Sequence, residues 1–378
     1  MRVKLAYLVH DLNDAAVAKR VAMLRAVGVE VSLAGFWRGE KAPDVVAGAP
    51  ATPLGRTYDA RLFARSLSVL GQAAAPTDVR EVVAGADVVM ARNLEMLALA
   101  APARGRSRLI YECLDVHGAL LGAGLRDRML RAFERHLLES VDLLLVSSPA
   151  FLTQYFLARQ DYRGETLLVE NKVLEIGRES RRRSLRAAPD GPPWRIGWFG
   201  MLRCRRSLAL LCELAKASDG RVEVILRGKP ALNEMPEFFD VVEKTLGVSF
   251  AGAYTADDLE RIYGEVHFNW TIDYFEEGLN SSWLLPNRIY EGSLHGAAPI
   301  ALVGVQAAAW LAQRVAGVLL TDPGKELAPM MDAMTPQAYA ALRQAVEAIP
   351  RRDLVCDRED AARLARALAA PSLAEAAG

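Results

Sequence analysis

Short apolar runs alternate with amphipathic stretches along this chain, and the alternation occurs in two series separated by a polar segment. The first series opens with a predicted strand, "RVKLAYLV", a predicted helix that Gly28 closes, "DAAVAKRVAMLRAVG", and a second predicted strand, "VEVSLAGF". Continuous apolar strands that alternate with helices are typical of a parallel sheet covered by helices on both faces. The first series therefore predicts a doubly wound α/β domain.

A second series of the same kind begins near residue 194. Its predicted strands include "WRIGWFG", "VEVILRG", "VSFAGAY" and "GVLLTD", and its first predicted helix is "SLALLCELAKAS". Residues 178–193, between the two series, are basic and then rich in Pro and Gly, which is typical of a linker. The chain of 378 residues is long enough for two domains of about 150 residues each.

We therefore expect an α/β protein made of two doubly wound, Rossmann-like domains that face a cleft. The N-terminal domain is expected at residues 1–177, the linker at 178–193 and the C-terminal domain at 194–350. The Ala-rich remainder, residues 351–378, is expected to be a helical segment, and one arrangement packs it back on the N-terminal domain. Ligands of doubly wound sheets bind beyond the carboxyl ends of the strands.

Charge and cysteine content narrow the class of protein. The 46 basic residues balance the 46 acidic ones, so the total charge does not favour nucleic acid as a partner. No segment approaches the roughly 18 uninterrupted apolar residues of a membrane span, and the N-terminal apolar run ends at His10, too early for a signal peptide. The four cysteines lack the paired spacing of a disulfide framework or a zinc site. We expect a cytoplasmic protein that is soluble or attached peripherally to the inner face of the cytoplasmic membrane.

One stretch, residues 284–302, predicts a helix that runs into a buried strand, "LLPNRIYEGSLHGAAPIAL". Pro286 suits a first helical turn, and Asn287 and Arg288 add donors beside amides that lack intrahelical partners, an arrangement that attracts phosphate. Glu291 shares a helix face with both donors, so the three side chains can converge on one ligand. The alternative is a capped helix that carries an Arg–Glu surface pair.

Further cations follow predicted strands of the second series. Arg203, Arg205 and Arg206 come after "IGWFG", and Lys229 comes after "VEVILRG". A diphosphate needs positive charge of this kind, and Arg can bind it through two hydrogen bonds. These cations are therefore candidates for a diphosphate site, with solvated basic turns as the alternative.

Polar side chains also follow strands of the first series. Asp115 and His117 come after "RLIYECL", two residues apart and on one side of an extended chain, while Asp11 follows the first strand directly after His10. A carboxylate near an imidazole can deprotonate a hydroxyl, so these residues are candidates for a general base. A capped and hydrated loop is the alternative, and Asp14 is expected to be a helix N-cap.

A basic helix in the first series raises the question of membrane contact. Anionic lipid headgroups are one expected partner of its arginines, and a solvated helix face is the alternative. The residues concerned lie in "RDRMLRAFERHLL" and are Arg126, Arg128, Arg131 and Arg135, set among Leu130, Phe133 and Leu137.

Common nucleotide and hydrolase motifs do not occur. The first strand is not followed by G-x-G-x-x-G, which argues against an NAD(P) enzyme. The sequence also lacks G-x-x-x-x-G-K-[ST], H-E-x-x-H and G-x-S-x-G, which argues against P-loop NTPases, zinc proteases and α/β-hydrolases.

Together these segments resemble the bacterial GT-B glycosyltransferases, especially family-4-like enzymes of exopolysaccharide biosynthesis. "LLPNRIYEGSLHGAAPIAL" is similar to that group's "PxKxxEyxAxGxPVv" helix, and "IGWFGMLRCRRSL" to its "yxGxLxxxKg" segment. "LLVENKV" resembles the strand and "NGv" turn that close the first domain, and "GAYTADDLERIYGEVHFNW" resembles a late passage of the second. The resemblance covers nearly the whole chain.

The resemblance implies transfer of a sugar from a nucleoside diphosphate sugar, UDP-linked, to a polyprenyl-diphosphate-linked saccharide held by the N-terminal domain. It implies that Glu291 holds the ribose hydroxyls and that Asn287, Arg288 and Arg203 hold the diphosphate. No cofactor is implied. Since no D-x-D occurs, arginines and a helix N-terminus, rather than a metal ion, are expected to stabilise the leaving group.

The donor-sugar loop departs from the family pattern. Retaining members carry an acidic residue eight positions before the ribose-binding Glu, and Trp283 stands there in this chain. The acids of the "YFEEGLNSS" stretch lie further upstream, and Glu277 with Gly278 is the candidate for a remodelled loop. Inversion and retention both stay open. An inverting enzyme needs a base, for which the order of preference is Asp115, His117 and Asp11.

Three functions remain as hypotheses. The first is a metal-independent glycosyltransferase of hexosyl or glucuronosyl type. The second is a GT-B-fold nucleotide-sugar epimerase, which would bind the same donor without an acceptor. The third is a catalytically silent assembly partner, which would bind no nucleotide.

Overall fold

The computed structural model describes residues 3–56, 77–176 and 191–370. The expected linker at 178–193 lies outside the described residues except for residues 191–193. The chain divides into two compact units. The first lies within Met1–Glu170, Leu174–Gly177 and Cys356–Gly378, and the second within Asn171–Val173 and Arg178–Val355.

Eight strands of the first unit form one sheet in the order β3-β4-β2-β1-β5-β6-β7-β8. Neighbouring strands are parallel except for the short antiparallel pair β3 and β4. The strands are β1 Lys4–Val9, β2 Glu30–Trp37, β3 Val45–Val46, β4 Ala49–Arg56, β5 Val88–Arg92, β6 Arg108–Cys113, β7 Leu143–Val146 and β8 Thr166–Leu168.

Helices follow most of these strands, as the alternating pattern predicts. The α-helices are α1 Ala15–Arg25, α2 Thr77–Val83, α3 Leu94–Ala103 and α4 Leu125–Leu138, with a 3-10 turn at Gly118–Leu120 and a π-helix at Phe151–Leu157. The carboxylate of Asp14 accepts the N–H of Ala16 at 2.9 Å, so the expectation that Asp14 caps α1 is confirmed. Every residue of β5 and of β6 is buried, which fits a central parallel sheet covered on both faces.

The second unit contains an entirely parallel sheet of six strands in the order β12-β11-β10-β13-β14-β15, and the chain also forms a two-stranded sheet of β9 and β16. The strands are β9 Val173–Leu174, β10 Trp194–Leu202, β11 Val222–Pro230, β12 Val248–Phe250, β13 Phe268–Trp270, β14 Ala298–Leu302, β15 Val318–Leu320 and β16 Val355–Cys356.

The remaining helices continue the numbering to the end of the described chain. They are α5 Arg205–Ala217, α6 Phe238–Glu243, α7 Leu259–Gly264, α8 Asn280–Trp283, α9 Asn287–Leu294, α10 Gln306–Ala312, α11 Pro323–Asp332, α12 Pro336–Glu347, α13 Arg351–Leu354 and α14 Arg358–Ala369. The last helix belongs to the first unit, where Leu364 and Leu368 join the core and Arg358 donates to the carbonyl of Ala26 at 2.8 Å. None of the helices in the three described ranges is both long and apolar enough to cross a membrane.

A buried ion network lies under the carboxyl end of the first sheet. Glu112 is fully buried and accepts from Arg20 Nε at 2.7 Å and from Arg92 Nε at 3.0 Å, with the Tyr7 hydroxyl as a further donor. Burial alone would raise the pKa of Glu112, but the charges of Arg92 and Arg20 lower it to about 2. The carboxylate is therefore held charged inside the protein.

Glu134 of α4 is a second buried acid, and its environment is different. Its carboxyl group accepts from the hydroxyls of Tyr111 and Tyr155 and from the amide of Gln160, with no arginine or lysine among these partners. Burial raises its pKa, with the charge of Glu95 adding to the effect and the three donors opposing it. The hydrogen bonds of the Glu134 carboxyl group hold α4 against β6 and the π-helix.

Candidate functional site

One cysteine connects two loops by hydrogen bonds. The loops follow the carboxyl ends of the neighbouring parallel strands β10 and β13. Cys204 Sγ accepts the N–H of Ser207 at 3.4 Å, which caps α5, and the N–H of Tyr274 at 3.3 Å in the loop after β13. The Ser207 hydroxyl also donates to the carbonyl of Ile272 at 3.3 Å. The side chains of these two loops are therefore held at one edge of the sheet.

Arg203, the first predicted diphosphate ligand, lies in the β10 loop and contacts a carboxylate that the sequence did not reveal. Its Nη2 and Nε lie 3.2 Å and 3.4 Å from Asp273 Oδ2, and its guanidinium lies 4.7 Å from the centre of the Phe275 ring. Asp273 is only 8% exposed and Arg203 is 31% exposed. The cation is thus accessible, but it already has a counter-charge.

The predicted donor-sugar loop forms a second pair with the same arginine-rich segment. Arg206 Nη1 lies 3.0 Å from Glu277 Oε2 and its guanidinium lies 4.0 Å from the centre of the Tyr274 ring. Gly278 has a φ of +76°, a conformation that suits glycine, and its N–H donates to Ser282 Oγ at 3.0 Å. Glu277 and Gly278 therefore lie beside the β10 loop in an exposed turn.

Lys229 ends its strand next to an unusually close backbone contact. Gly228 has a φ of +119°, and a Cβ there would lie 2.0 Å from the carbonyl oxygen of Gly200 on β10. Lys229 is exposed, and its side chain makes no hydrogen bond or ion pair with the part of the chain that the structure describes. Arg205, by contrast, forms an ion pair with Glu237, the N-cap residue of α6.

Helix α9 begins at Asn287 with Pro286 as its N-cap residue, and no side chain caps it. Because the first N–H groups of a helix lack intrahelical partners, this end is open to an anion. Asn269 at β13 fixes the helix, since its Nδ2 donates to the carbonyl of Arg288 at 2.5 Å. Only glycine fits at position 292, where a Cβ would lie 2.4 Å from that amide nitrogen.

Arg288 is largely buried, and its Nε is a buried atom without a hydrogen-bond partner in the described chain. The residue is 8% exposed, and its guanidinium makes no hydrogen bond or ion pair with the residues that the structure describes. Glu291, one turn along α9, instead accepts the hydroxyl of Tyr263 at 3.1 Å. The alternative of an Arg–Glu surface pair is therefore wrong, because Arg288 is buried and does not pair with Glu291.

Two tyrosines connect α9 with the rest of this edge. Burial raises the pKa of Tyr263 and of Tyr254, the charge of Glu291 raises both further, and Arg288 opposes the shift at each. Both hydroxyls therefore lie within electrostatic range of the arginine and the acid. The sequence analysis did not select either tyrosine, although both stand in the "GAYTADDLERIYGEVHFNW" passage.

Asp115 and His117 both follow β6 and are both exposed. The Cys113 thiol donates to the backbone carbonyl of Asp115 at 3.4 Å, so the carboxylate of Asp115 takes no part in that hydrogen bond. His117 Nδ1 accepts the N–H of Ala119 at 3.2 Å and so caps the 3-10 turn with one ring nitrogen. Both side chains lie at the carboxyl edge of the first sheet.

Asp11 supports a turn at the same edge. Its Oδ1 accepts the N–H of Asn13 at 3.0 Å and of Arg38 at 3.2 Å, and its Oδ2 lies 3.8 Å from Arg38 Nε. The neighbouring His10 has its Nε2 4.0 Å from Asp14 Oδ2, and burial lowers its pKa. Both carboxylate oxygens of Asp11 therefore take part in contacts within this turn.

Sequence reasoning missed one further acid beside these residues. Glu95 lies in the first turn of α3, and burial raises its pKa, while its own backbone N–H, His117 and Arg38 oppose the shift. Asn93, just before α3, has φ 72° and ψ 167°, a backbone conformation that residues with a side chain rarely adopt. No periodic signal in the sequence marks either feature.

The basic helix α4 uses part of the predicted lipid face for internal contacts. Arg131 donates to the carbonyls of Leu120 at 2.9 Å and Gly122 at 2.7 Å. Leu130 and Leu137 are buried in the first unit. The predicted lipid face is wrong for these residues, because the helix turns them toward the protein.

A different face of α4 is exposed to solvent. Leu125 and Met129, one turn apart, are 69% and 65% exposed. Arg126 and Arg128 are exposed beside them and make no ion pair within the described chain. In the described ranges, no group of three or more His, Cys, Asp or Glu residues could hold a metal ion.

Comparison with known proteins gives one close relative in sequence and several in structure. No protein-family profile matches the chain. Over 382 residues the chain is 43% identical to the succinoglycan biosynthesis protein ExoL of Rhizobium meliloti (strain 1021), covering 98% of this chain and 94% of ExoL.

The structural likenesses extend over almost the whole chain at low identity. Sucrose-phosphate synthase from Thermosynechococcus elongatus superposes with a TM-score of 0.70 at 15% identity, covering 97% of this chain and 98% of the synthase. HepE from Anabaena, in complex with UDP-glucose, superposes with a TM-score of 0.67 at 16% identity, covering 97% of this chain and 98% of HepE. These likenesses confirm the expected fold, GT-B with two Rossmann-like domains.

Proposed function

The chain belongs to the family of the succinoglycan biosynthesis protein ExoL, and we propose that it is a glycosyltransferase of exopolysaccharide assembly. In this proposal it moves a sugar from a nucleoside diphosphate sugar, with UDP as the nucleotide, to a saccharide on a polyprenyl diphosphate. The HepE structure of the same fold contains UDP-glucose, which supports a UDP-linked donor. The transferred group is a hexosyl or glucuronosyl unit.

The observation that carries the proposal is the largely buried guanidinium of Arg288, which forms no ion pair in the described chain and whose Nε has no hydrogen-bond partner there. Burying a charge at 8% exposure costs stability, and a bound anion offsets that cost. A diphosphate does so, and an arginine can hold it through two parallel hydrogen bonds. The uncapped N-terminus of α9 adds N–H donors and the positive end of a helix dipole at the same place.

The other donor-side residues take roles that match their positions. Glu291 accepts the Tyr263 hydroxyl at one oxygen, and a carboxylate is suited to accept from the ribose hydroxyls as well. Asn287 and Arg203 join Arg288 on the diphosphate. Lys229, an exposed cation without an internal partner in the described chain, is available for the same charge.

Glu277 and Gly278 are assigned to the donor sugar itself. Their turn lies beside Arg206 and is exposed, so a sugar attached to the diphosphate can reach the carboxylate and the backbone of the turn. Carboxylates are suited to accept from sugar hydroxyls. The proposed leaving-group stabilisation comes from the arginines and the α9 N-terminus and needs no metal ion.

On the acceptor side, Asp115 is the first candidate for the base, followed by His117 and Asp11. Asp115 is exposed beyond β6, so a saccharide hydroxyl can approach it. The base takes the proton of that hydroxyl, the oxygen forms a bond to the anomeric carbon, and the bond from that carbon to the diphosphate breaks. Asp11 ranks third, and its carboxylate accepts the N–H groups of Asn13 and Arg38.

The test is transfer of radiolabel from UDP-glucose, UDP-galactose or UDP-glucuronate to a polyprenyl-diphosphate-linked oligosaccharide, with label in the organic phase as the readout. The same donors are incubated without acceptor, where an epimerase, but not a transferase, produces a new nucleotide sugar. Failure of the protein to bind UDP or any of the three donors would identify a catalytically silent assembly partner and contradict the proposal.

A lipid-linked acceptor also suggests peripheral contact with the inner face of the cytoplasmic membrane, and we assign that contact to the exposed face of α4. Leu125 and Met129 can enter the headgroup region while Arg126 and Arg128 attract anionic lipid. Flotation with phosphatidylglycerol vesicles is expected to retain the protein, and phosphatidylcholine vesicles are expected to retain much less. Met129→Glu should abolish retention, whereas the control Leu246→Glu, at a residue that is 87% exposed on the second unit, should not.

A further inference from the structure

Asp273 is a buried carboxylate that contacts a cation assigned to the donor diphosphate. Its Oδ2 lies 3.2 Å from Arg203 Nη2, while its Oδ1 accepts the N–H of Phe275 at 2.9 Å. A backbone N–H holds one oxygen and the side chain is only 8% exposed, so the carboxylate is restrained in this position. Arg203 is 31% exposed on a long side chain and can turn toward a ligand. A bound diphosphate therefore shares Arg203 with a fixed negative charge.

Donor and product differ in charge at the phosphate that changes during the reaction. In a sugar nucleotide each phosphate has one ester bond and the shared anhydride bond, and each carries one negative charge. After transfer, the terminal phosphate has lost its ester bond and gains a second ionisation with a pKa of about 6, as in a phosphate monoester, so the product carries nearly one further negative charge near pH 7.5. A carboxylate nearby repels that additional charge, and the repulsion is strong at a partly buried site.

We propose that Asp273 discriminates between the sugar donor and the nucleoside diphosphate product, weakening the product more than the donor. The proposal rests on the assignment of Arg203 to the diphosphate in the proposed function. It explains why an acid is buried beside a cation that the reaction needs, an arrangement that otherwise only lowers affinity for the donor. The consequence is faster release of product and weaker product inhibition.

Arg206 and Glu277 form a useful contrast within the same two loops. Both side chains are 54% exposed, so water screens the pair and the carboxylate can move. The discrimination is therefore assigned to Asp273 alone. It depends on burial and on the Phe275 N–H, which together keep the charge in place.

The experiment is calorimetric titration of the full chain and of Asp273→Asn with three ligands: uridine, UDP and the terminal methyl ester of UDP. The ester keeps the diphosphate but lacks the additional charge, so it isolates charge from sugar contacts. The wild type should bind the ester more tightly than UDP. In Asp273→Asn, affinity for UDP should rise about tenfold, affinity for the ester should rise less, and affinity for uridine should not change.

Asp219→Asn is the matched control, since Asp219 is exposed just before β11, at the amino end of the strands. It removes the same charge and should change none of the three affinities. If Asp273→Asn does not fold, the affinities of the wild type for the ester and for UDP still test the proposal. Preference of the wild type for UDP over the ester would overturn the proposal.

Two other outcomes would also overturn the inference. An equal rise in affinity for UDP and the ester would mean that Asp273 only neutralises Arg203. A loss of affinity for both would mean that the carboxylate orients Arg203 for binding. Failure of the wild type to bind any of the three ligands would refute the proposed UDP-linked donor and, with it, the role of Asp273.

Discussion

Replacing Arg288 by Met should stabilise the ligand-free protein while it weakens nucleotide binding. Arg288 is 8% exposed, and its Nε is buried without a hydrogen-bond partner in the described chain. An unsatisfied buried polar group costs about 1 to 3 kcal/mol, more when it is charged. Met has similar length and no polar atom to satisfy, and the backbone carbonyl of residue 288 keeps its bond from Asn269. The free energy of unfolding should therefore rise by about 1 to 3 kcal/mol.

In a unit of about 150 to 250 residues, that change corresponds to a Tm increase of roughly 2 to 12 °C. Loss of one charge-assisted hydrogen bond to the diphosphate costs about 1.5 to 3 kcal/mol, which lowers UDP affinity by about 10- to 150-fold. Thermal unfolding without ligand and calorimetric titration with UDP measure the two effects. An increase in Tm together with a decrease in UDP affinity indicates a residue that serves ligand binding rather than folding.

Arg314→Met is the matched control in the same unit. Arg314 Nη2 lies 3.0 Å from Asp353 Oδ2, so removing its guanidinium leaves a carboxylate without its partner. This variant should lower the Tm and leave UDP affinity unchanged. The reasoning fails if Arg288→Met lowers the Tm and leaves UDP affinity within twofold of wild type, because Arg288 would then be an ordinary structural residue.

Three further predictions follow from named contacts. Glu291→Ala should weaken UDP binding by about 1.5 to 3 kcal/mol in calorimetry, and unchanged affinity would give Glu291 a structural role, as acceptor of the Tyr263 hydroxyl. Asp115→Asn should lower sugar transfer about 100-fold at saturating donor with normal donor affinity, and His117→Ala should lower it less; near-normal turnover would exclude Asp115 as the base. The pKa of Glu112 in the folded protein is about 2, below its usual 4.5. The contribution of this carboxylate to the free energy of unfolding is therefore present above pH 4.5 and is lost as pH falls toward 2. Glu112→Gln should cost about 3 kcal/mol at pH 7 in urea unfolding, with a difference from wild type that shrinks across that acid range; a constant difference would contradict this account.

The alternation of apolar runs and amphipathic stretches was enough to predict both parallel sheets. Buried parallel strands have a strong apolar signal, and "WRIGWFG" and "VEVILRG" became β10 and β11. Strands β3 and β4 were missed because β4 contains Pro50 and Pro53, which remove ladder donors and weaken a strand pattern. β4 lies near the end of the sheet, where prolines are tolerated.

The donor-side residues could be predicted only where the sequence itself brings them together. Arg288 and Glu291 are three positions apart on one helix, so their shared location follows from helical geometry. The partner of Arg203 could not be predicted, because Asp273 is 70 positions away and reaches it only through the pairing of β10 with β13. The burial of Arg288 was also hidden, since it depends on how α9 packs against the rest of the unit.

The first unit is discontinuous in sequence, so its parts leave the ribosome at different times. Most of this unit is synthesised first, yet its core includes Leu364 and Leu368 of α14, which emerge only after the whole of the second unit. Domains generally fold in the order in which they leave the ribosome, but here the N-terminal sheet must wait for its last helix. The second unit can therefore complete its core while the first unit still exposes the part of α1 that α14 will contact. A chain that stalls or is cut before Arg358 would have a complete second unit and an incomplete first unit, and quality control would meet the defect in the N-terminal half of the protein.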